Sequence, residues 1–342
     1  MKIAIIVNPL IPVPPTHYGG IERIVYMLIQ ELLKYGHQVT LYAHPDSEPG
    51  CQLIAYTEGD SYTWKHQVRI NKLTFAIATD GYDLVHTFGR MNNIALLMLT
   101  RIPKVVSYQL PPTVSQVQKA MRFARSGSLH FTACSNYIAR QIAGVAPVST
   151  IYNGVDITEY SFTGKVENDA PLVFLGRIQQ EKGTAIAIEV ALSTRRKLII
   201  AGNVPNESIH RQYFEEKVKP YIDDDIIRYI GPVDNVQKNE LLGKALAFLM
   251  PVTWDEPFGI VMAEALACGT PVVGFDRGAL PEIVDNGVDG FICRDVAEMK
   301  AAVLKAAELS RADCRKKAET KFSATVLGRQ YEELYKKLVA TR

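Results

Sequence analysis

Glu256 and Glu264 are separated by seven residues within the segment 251–274, PVTWDEPFGIVMAEALACGTPVVG. Carboxylates are good acceptors for hydroxyl groups, so two of them at this separation can hold opposite ends of an extended, hydroxyl-rich ligand. Between them, Pro257 suits a helix's first position and 259–267 reads as the helix. The N–H groups of Phe258, Gly259 and Ile260 are then its unsatisfied first-turn donors. Gly259 lets the backbone approach closely, and the helix dipole favours an anion such as a diphosphate there. Two surface glutamates around an ordinary helix start would look the same. A second cluster, GRIQQEKG at 176–183, places Arg177 and Lys182 in a glycine-flanked loop after a strand. A cation pair in that position can neutralise a diphosphate without metal, although a solvated strand-to-helix loop has the same composition.

Other chemistry-bearing residues carry less. Cys51, Cys134, Cys268, Cys293 and Cys314 are widely spaced, and no Cys/His pair has zinc-site spacing. They read as reduced core thiols of a cytosolic chain. His37 reads as a helix-to-strand turn residue and His17 as part of a Pro-rich loop. Asp223-Asp224-Asp225 has the spelling of a metal-binding Asp-x-Asp but precedes a strand, so it reads as a solvated turn, and no catalytic metal or other cofactor is expected. Lys119, Arg122 and Arg125 recur every three residues beside Val117, Met121 and Phe123. They offer a basic face to an acceptor or a lipid surface, or simply to water.

These residues hang on a regular alternation. Strands read at 2–7, 38–43, 83–88, 104–109, 130–134 and 148–152, then at 171–175, 197–201, 226–230, 247–252 and 271–275. Most are continuously apolar, as strands of a parallel sheet covered on both faces are. Helical stripes lie between them, as at 20–35, so the class is doubly wound α/β. The alternation breaks at 154–170, a polar stretch. The boundaries expected are 1–160 and 161–322 for two Rossmann-like domains, with 323–342 a C-terminal helix returning to the first. Two such domains imply a cleft at the carboxyl ends of their strands.

In this order and spacing the segments resemble glycosyltransferase family 4, of GT-B fold, along the whole chain. The carriers are Gly19-Gly20-Ile21-Glu22, DLVHTF at 83–88, CSNYIA at 134–139, NGVD at 153–156, GRIQQEKG, IAGNVP at 200–205, IGPVDN at 230–235, the Glu256/Glu264 pair and CGTPVVGF at 268–275. The resemblance implies metal-independent, retaining transfer of a sugar from a UDP- or GDP-sugar to a hydroxyl on a glycan, a lipid-linked or a small-molecule acceptor. It implies that Arg177 and Lys182 bind the diphosphate, and that Glu264 binds the ribose. Glu256, with main-chain groups of Phe258, Gly259 and Ile260, would bind the donor sugar. Gly19 and Gly20 would approach the phosphate, His86 would lie by the donor sugar, and Asn203 and Val233 would line the nucleobase pocket. An epimerase or hydrolase of the same plan, or a non-catalytic sugar-nucleotide sensor, are the alternatives.

Composition narrows the classes further. The chain has 342 residues, 38 Lys plus Arg against 36 Asp plus Glu, and a net charge of +2. That balance argues against a nucleic-acid partner, whose affinity comes from a basic field. No apolar run approaches the roughly 18 residues that span a bilayer. The expected place is the cytoplasm, with contact at the inner membrane surface if the basic face is used. No G-x-G-x-x-G follows the first strand, which disfavours a dinucleotide-dependent dehydrogenase.

Overall fold

The computed structural model describes residues 1–16, 19–56 and 64–341, and for 64–71 the helical backbone alone. The chain forms two compact units, Met1–Gly154 with Ala324–Arg342, and Val155–Ser323.

The first unit is built on a seven-stranded parallel sheet. Its strands are β1 (Lys2–Ile6), β2 (Gln38–Ala43), β3 (Gln52–Ala55), β4 (Leu84–Thr87), β5 (Lys104–Tyr108), β6 (Leu129–Ala133) and β7 (Val148–Thr150). Their order is β3-β2-β1-β4-β5-β6-β7, so the winding reverses between β1 and β4. Open α/β sheets bind ligands beyond the carboxyl ends of the strands at such a reversal. The apolar runs explain the strands: Ile3, Ala4, Ile5 and Ile6 are all buried, because helices cover both faces. β3 is an edge strand of mixed polarity, QLIA, which carries no apolar run to betray it.

The second unit holds a six-stranded parallel sheet of order β10-β9-β8-β11-β12-β13. The strands are β8 (Leu172–Leu175), β9 (Leu198–Ala201), β10 (Ile227–Tyr229), β11 (Ala247–Met250), β12 (Val272–Phe275) and β13 (Gly290–Cys293). The winding reverses between β8 and β11. Leu172, Phe174, Leu198, Ile200, Leu249 and Val273 form one core with Ala187, Val190, Met299 and Val303 from the covering helices.

The last helix, Ala324–Ala340, belongs to the first unit. It buries Leu327, Gly328, Tyr331, Leu334 and Tyr335. Gly328 lets it approach the helix Gly20–Lys34: a Cβ there would stand 2.3 Å from Glu31 Cβ. His37 Nε2 lies 3.2 Å from a Glu332 carboxylate oxygen and strengthens the same contact.

The boundary lies at 154/155, not 160/161. Residues 155–163 are tied to the second unit by hydrogen bonds that composition cannot reveal. Val155 N–H donates to Phe322 O (2.7 Å), and Arg315 Nη1 donates to Tyr160 O (2.7 Å) and Ala267 O (2.8 Å). Arg311 Nε donates to Thr163 O at 2.6 Å.

Candidate functional site

The loops after β8 and β11 meet at the second unit's winding reversal. After β8 come Gly176 and half-buried Arg177, then a 3₁₀ turn, Gln180–Lys182. Gly183 follows with φ of +77°, and opens the helix Thr184–Thr194. A Cβ on Gly183 would stand 2.0 Å from Pro251 O, so only glycine lets this turn sit against the end of β11. Thr253 N–H donates to Glu181 O at 2.9 Å and fastens the two loops.

That seating brings two of the sequence candidates together. Lys182 Nζ donates to Glu256 Oε2 at 2.7 Å, with the two side chains 16% and 13% exposed. Trp254 Nε1 donates to the same oxygen at 3.0 Å, and the lysine ammonium stands 4.7 Å from the Trp254 ring centroid. The carboxylate is therefore held by a cation and an indole, and the cation is held over an aromatic face. Trp254 was not among the sequence candidates, although its place two residues before Glu256 could have marked it. The main chain of Glu256 is fixed in turn, since Ala279 N–H donates to its carbonyl at 2.9 Å.

The helix of the Glu256–Glu264 segment runs over Ile260–Ala267, capped by Gly259 with φ of +75°. Pro257 therefore lies outside it, not at its first position, because the left-handed glycine turns the chain two residues later. Met262 N–H already donates to Gly259 O at 2.9 Å. The side chain of Phe258 is core, edge-on to Phe322 with centroids 5.8 Å apart, so only its main chain can meet a ligand.

Glu264 is buried in that helix. Its Oε1 accepts from Tyr160 Oη at 2.7 Å and from Lys238 Nζ at 2.5 Å. Lys238 also stands over the Tyr160 ring, 5.5 Å from its centroid. Burying both charges carries a desolvation cost that the pair and the phenol offset. Neither Tyr160 nor Lys238 was singled out from sequence, because both are remote from Glu264 along the chain.

The flanking loops are stitched to one another. Ile178 N–H donates to Asn203 O at 2.9 Å, and Gly202 N–H to Gly231 O at 2.8 Å. Asn203 is exposed and Val233 half-buried on adjoining loops after β9 and β10. Arg177, Lys182, Glu256, Asn203 and Val233 thus all follow carboxyl ends of strands in one sheet.

His86 is where structure and sequence reading part. It lies on β4, wholly buried, with Nδ1 2.5 Å from Tyr335 Oη and Nε2 2.6 Å from Ser107 Oγ. Phe88 and Tyr331 stack around it at 4.2 and 5.0 Å between centroids. Burial pushes its pKa down to about 3. It is a neutral core histidine with both nitrogens occupied, not a group that can reach a sugar. The last helix, which supplies Tyr331 and Tyr335, covers it.

In the same unit Gly19 is buried and Gly20 starts the first helix. A Cβ on Gly19 would stand 2.6 Å from Pro15 Cβ and 3.1 Å from Glu22 Oε2. Glu22 is itself buried, which raises its pKa above the usual carboxylate value. His17 and Tyr18 lie outside the described residues. Beyond the carboxyl ends of β1 and β4, Asn8 Oδ1 and Asn93 Nδ2 are buried without a hydrogen bond among the described residues. Both lie 3.2 Å from the place a Cβ on Gly89 would occupy.

The remaining candidates stand apart. Lys119, Arg122 and Arg125 are exposed on or just beyond the helix Val114–Phe123. Asp223 Oδ1 accepts from the N–H groups of Asp225, Ile226 and Ile227, so it builds a turn. Among the described residues no group of three or more His, Cys, Asp or Glu is placed to hold a metal ion. Cys268 is buried beside Glu264, and burial pushes its thiol up to about 12.

Comparison with known proteins identifies the family and the fold. Residues 18–159 match the family described as Glycosyltransferase Family 4, and residues 156–321 match Glycosyl transferases group 1. The chain is 34% identical to a glycogen synthase of Mycobacterium tuberculosis over 350 residues, covering 85% of this chain and 83% of that protein. Among solved structures, AviGT4, a glycosyltransferase involved in avilamycin A biosynthesis, is 25% identical with a TM-score of 0.73 over 100% of this chain and 98% of that one. Anabaena HepE in complex with UDP and glucose shares the fold, with a TM-score of 0.76 at 18% identity over 98% of this chain and 100% of that one. With two doubly wound units, each matching one half of the same enzyme plan, the chain belongs to glycosyltransferase family 4, the group 1 glycosyltransferases of GT-B fold.

Proposed function

We propose that this glycosyltransferase moves a sugar from a nucleoside-diphosphate donor to a hydroxyl acceptor, with retention at the anomeric carbon and without a metal. The observation that carries the reading is the Lys182–Glu256 pair at the winding reversal between β8 and β11. Anabaena HepE, which shares the fold, has been solved with UDP-glucose, which supports a donor of this class.

On this reading Arg177 and Lys182 take the diphosphate, together with the N–H groups at the start of the helix Ile260–Ala267. Their charge, with the helix dipole, stabilises the diphosphate as the bond from its oxygen to the anomeric carbon breaks. Lys182 leaves or shares its carboxylate to do so. Glu256 then holds hydroxyls of the donor sugar and eases the positive charge developing on the ring. The acceptor oxygen forms its bond on the face being vacated, and its proton passes to an oxygen of the departing phosphate. No side chain on this route needs to act as a separate base, in keeping with the burial of His86. Glu264, one oxygen engaged by Tyr160 and Lys238, offers the other to the ribose.

Proton NMR of the first product formed from an α-linked donor tests the proposal. An α-linked product is expected. A β-linked product would overturn retention, and release of free sugar or an epimer with no transfer to any acceptor would turn the assignment to a hydrolase or epimerase.

A further inference from the structure

The charges of this chain are unevenly distributed. Residues 84–155 contain seven Lys or Arg and not one Asp or Glu, within a protein of net charge +2. Only Lys104 of the seven is buried; Arg90, Arg101, Lys119, Arg122, Arg125 and Arg140 are exposed. The same stretch exposes large apolar side chains that its own fold leaves unused. Leu99 is 66% and Phe123 61% exposed, and Leu96 44%.

These features share one surface. The 3₁₀ turn Leu96–Leu99 is joined to the end of the helix Val114–Phe123 by Arg125, whose N–H donates to Met98 O (2.9 Å) and whose Nε donates to Leu99 O (3.2 Å). Lys104 braces the turn from beneath: its Nζ donates to Leu97 O at 2.8 Å and Thr100 O at 2.7 Å. Spending a buried lysine on two carbonyls keeps the turn rigid, with Leu99 pointing outward. On the helix, Val117 and Ala120 face the core, while Lys119, Arg122 and Phe123 lie within about 100° of one another on the opposite face.

We propose that this surface rests on an anionic lipid bilayer. Apolar tips ringed by cations match the two layers of a membrane interface. Leu99 and Phe123 enter the boundary of headgroups and acyl chains, and Lys119, Arg101, Arg122 and Arg125 pair with lipid phosphates. A nucleic acid would meet the cations but leave the leucines in water, and it would find a single aromatic ring to stack on. No described helix is long and apolar enough to cross a membrane, so the contact is made from one side.

The test is sedimentation of the full chain with vesicles of phosphatidylcholine alone and with about one-third phosphatidylglycerol. Binding to the anionic vesicles is expected, weakened by half-molar salt. Each cation near such a surface is worth about fivefold in affinity, so Lys119→Gln with Arg122→Gln should cost about thirtyfold. Leu99→Ser with Phe123→Ser should cost at least as much at unchanged charge. All four side chains are exposed, so the variants should unfold at the wild-type temperature. Absence of binding, or equal binding to neutral and anionic vesicles, would overturn the proposal. So would loss of binding from the charge variants alone, with full displacement by heparin, which would assign the surface to a soluble polyanion.

Discussion

Replacing Glu256 by Gln separates the two halves of the proposed donor site. While paired with Glu256, Lys182 is not free to meet a phosphate; its ammonium is 2.7 Å from Glu256 Oε2, and both side chains are mostly buried. The bond joins two opposite charges; a Gln amide leaves the ammonium a charged donor but removes the ion-pair attraction, on the order of 1 kcal/mol. The amide oxygen of Gln still accepts from Trp254 and from Lys182, so the loop should keep its shape. The difference, about 1 kcal/mol, no longer has to be given up when Lys182 turns to the diphosphate. The variant should therefore bind the free nucleoside diphosphate about fivefold more tightly than wild type. Turnover should move the other way. Losing the carboxylate from the sugar side removes about 3 kcal/mol of transition-state stabilisation, roughly a hundredfold in rate. Calorimetry with the preferred nucleoside diphosphate and initial-rate measurements on the same preparation read both quantities. Weaker nucleotide binding would place Glu256 on the nucleotide instead, and turnover near the wild-type rate would remove it from the sugar.

Two further outcomes test the scaffold that holds these groups. Gly183→Ala should lower stability by about 3 kcal/mol or more in thermal unfolding, since the φ of +77° and the 2.0 Å approach to Pro251 O admit no methyl group, and a near-neutral result would refute the seating of that loop. His86, neutral in the fold with a pKa near 3 against an ordinary 6.5, binds its proton only in the unfolded chain through that window. Stability should thus fall as pH drops below about 6.5, by about 2 kcal/mol at pH 5. Urea unfolding of His86→Gln at pH 7 and pH 5 should show that much less loss, and an unchanged pH dependence would mean that His86 is not held neutral.

The fold was largely legible because its strands are continuous apolar runs. Eleven of the strands read from sequence are present, and the two missed, β3 and β13, carry the polar or glycine-containing segments QLIA and GFIC. That Arg177, Lys182 and Glu256 lie on loops after parallel strands was legible, because short-range spacing after an apolar run places them there. What sequence could not carry is which residue partners each across long separations. Tyr160 reaches Glu264 over 104 positions, and Tyr335 reaches His86 over 249. The second contact makes a histidine at a strand's end, given a site role only by the family resemblance, part of the core. The boundary was missed for the same reason, because Arg311 and Arg315 capture 155–163 through main-chain carbonyls rather than through any local pattern.

The central claim, a nucleoside-diphosphate sugar held by Arg177 and Lys182, is tested most directly by a donor screen. The protein is incubated with UDP-, GDP- and ADP-sugars in excess EDTA, with no acceptor beyond water, and release of nucleoside diphosphate is followed for wild type and for Arg177→Ala. One nucleotide class should be consumed slowly and saturably by the wild type despite the chelator. Removal of the guanidinium, leaving diphosphate charge unpaired in the site, should weaken binding of that nucleotide by about 2–4 kcal/mol. Equal nucleotide affinity in the two proteins, or turnover abolished by EDTA and restored by manganese, would contradict the account.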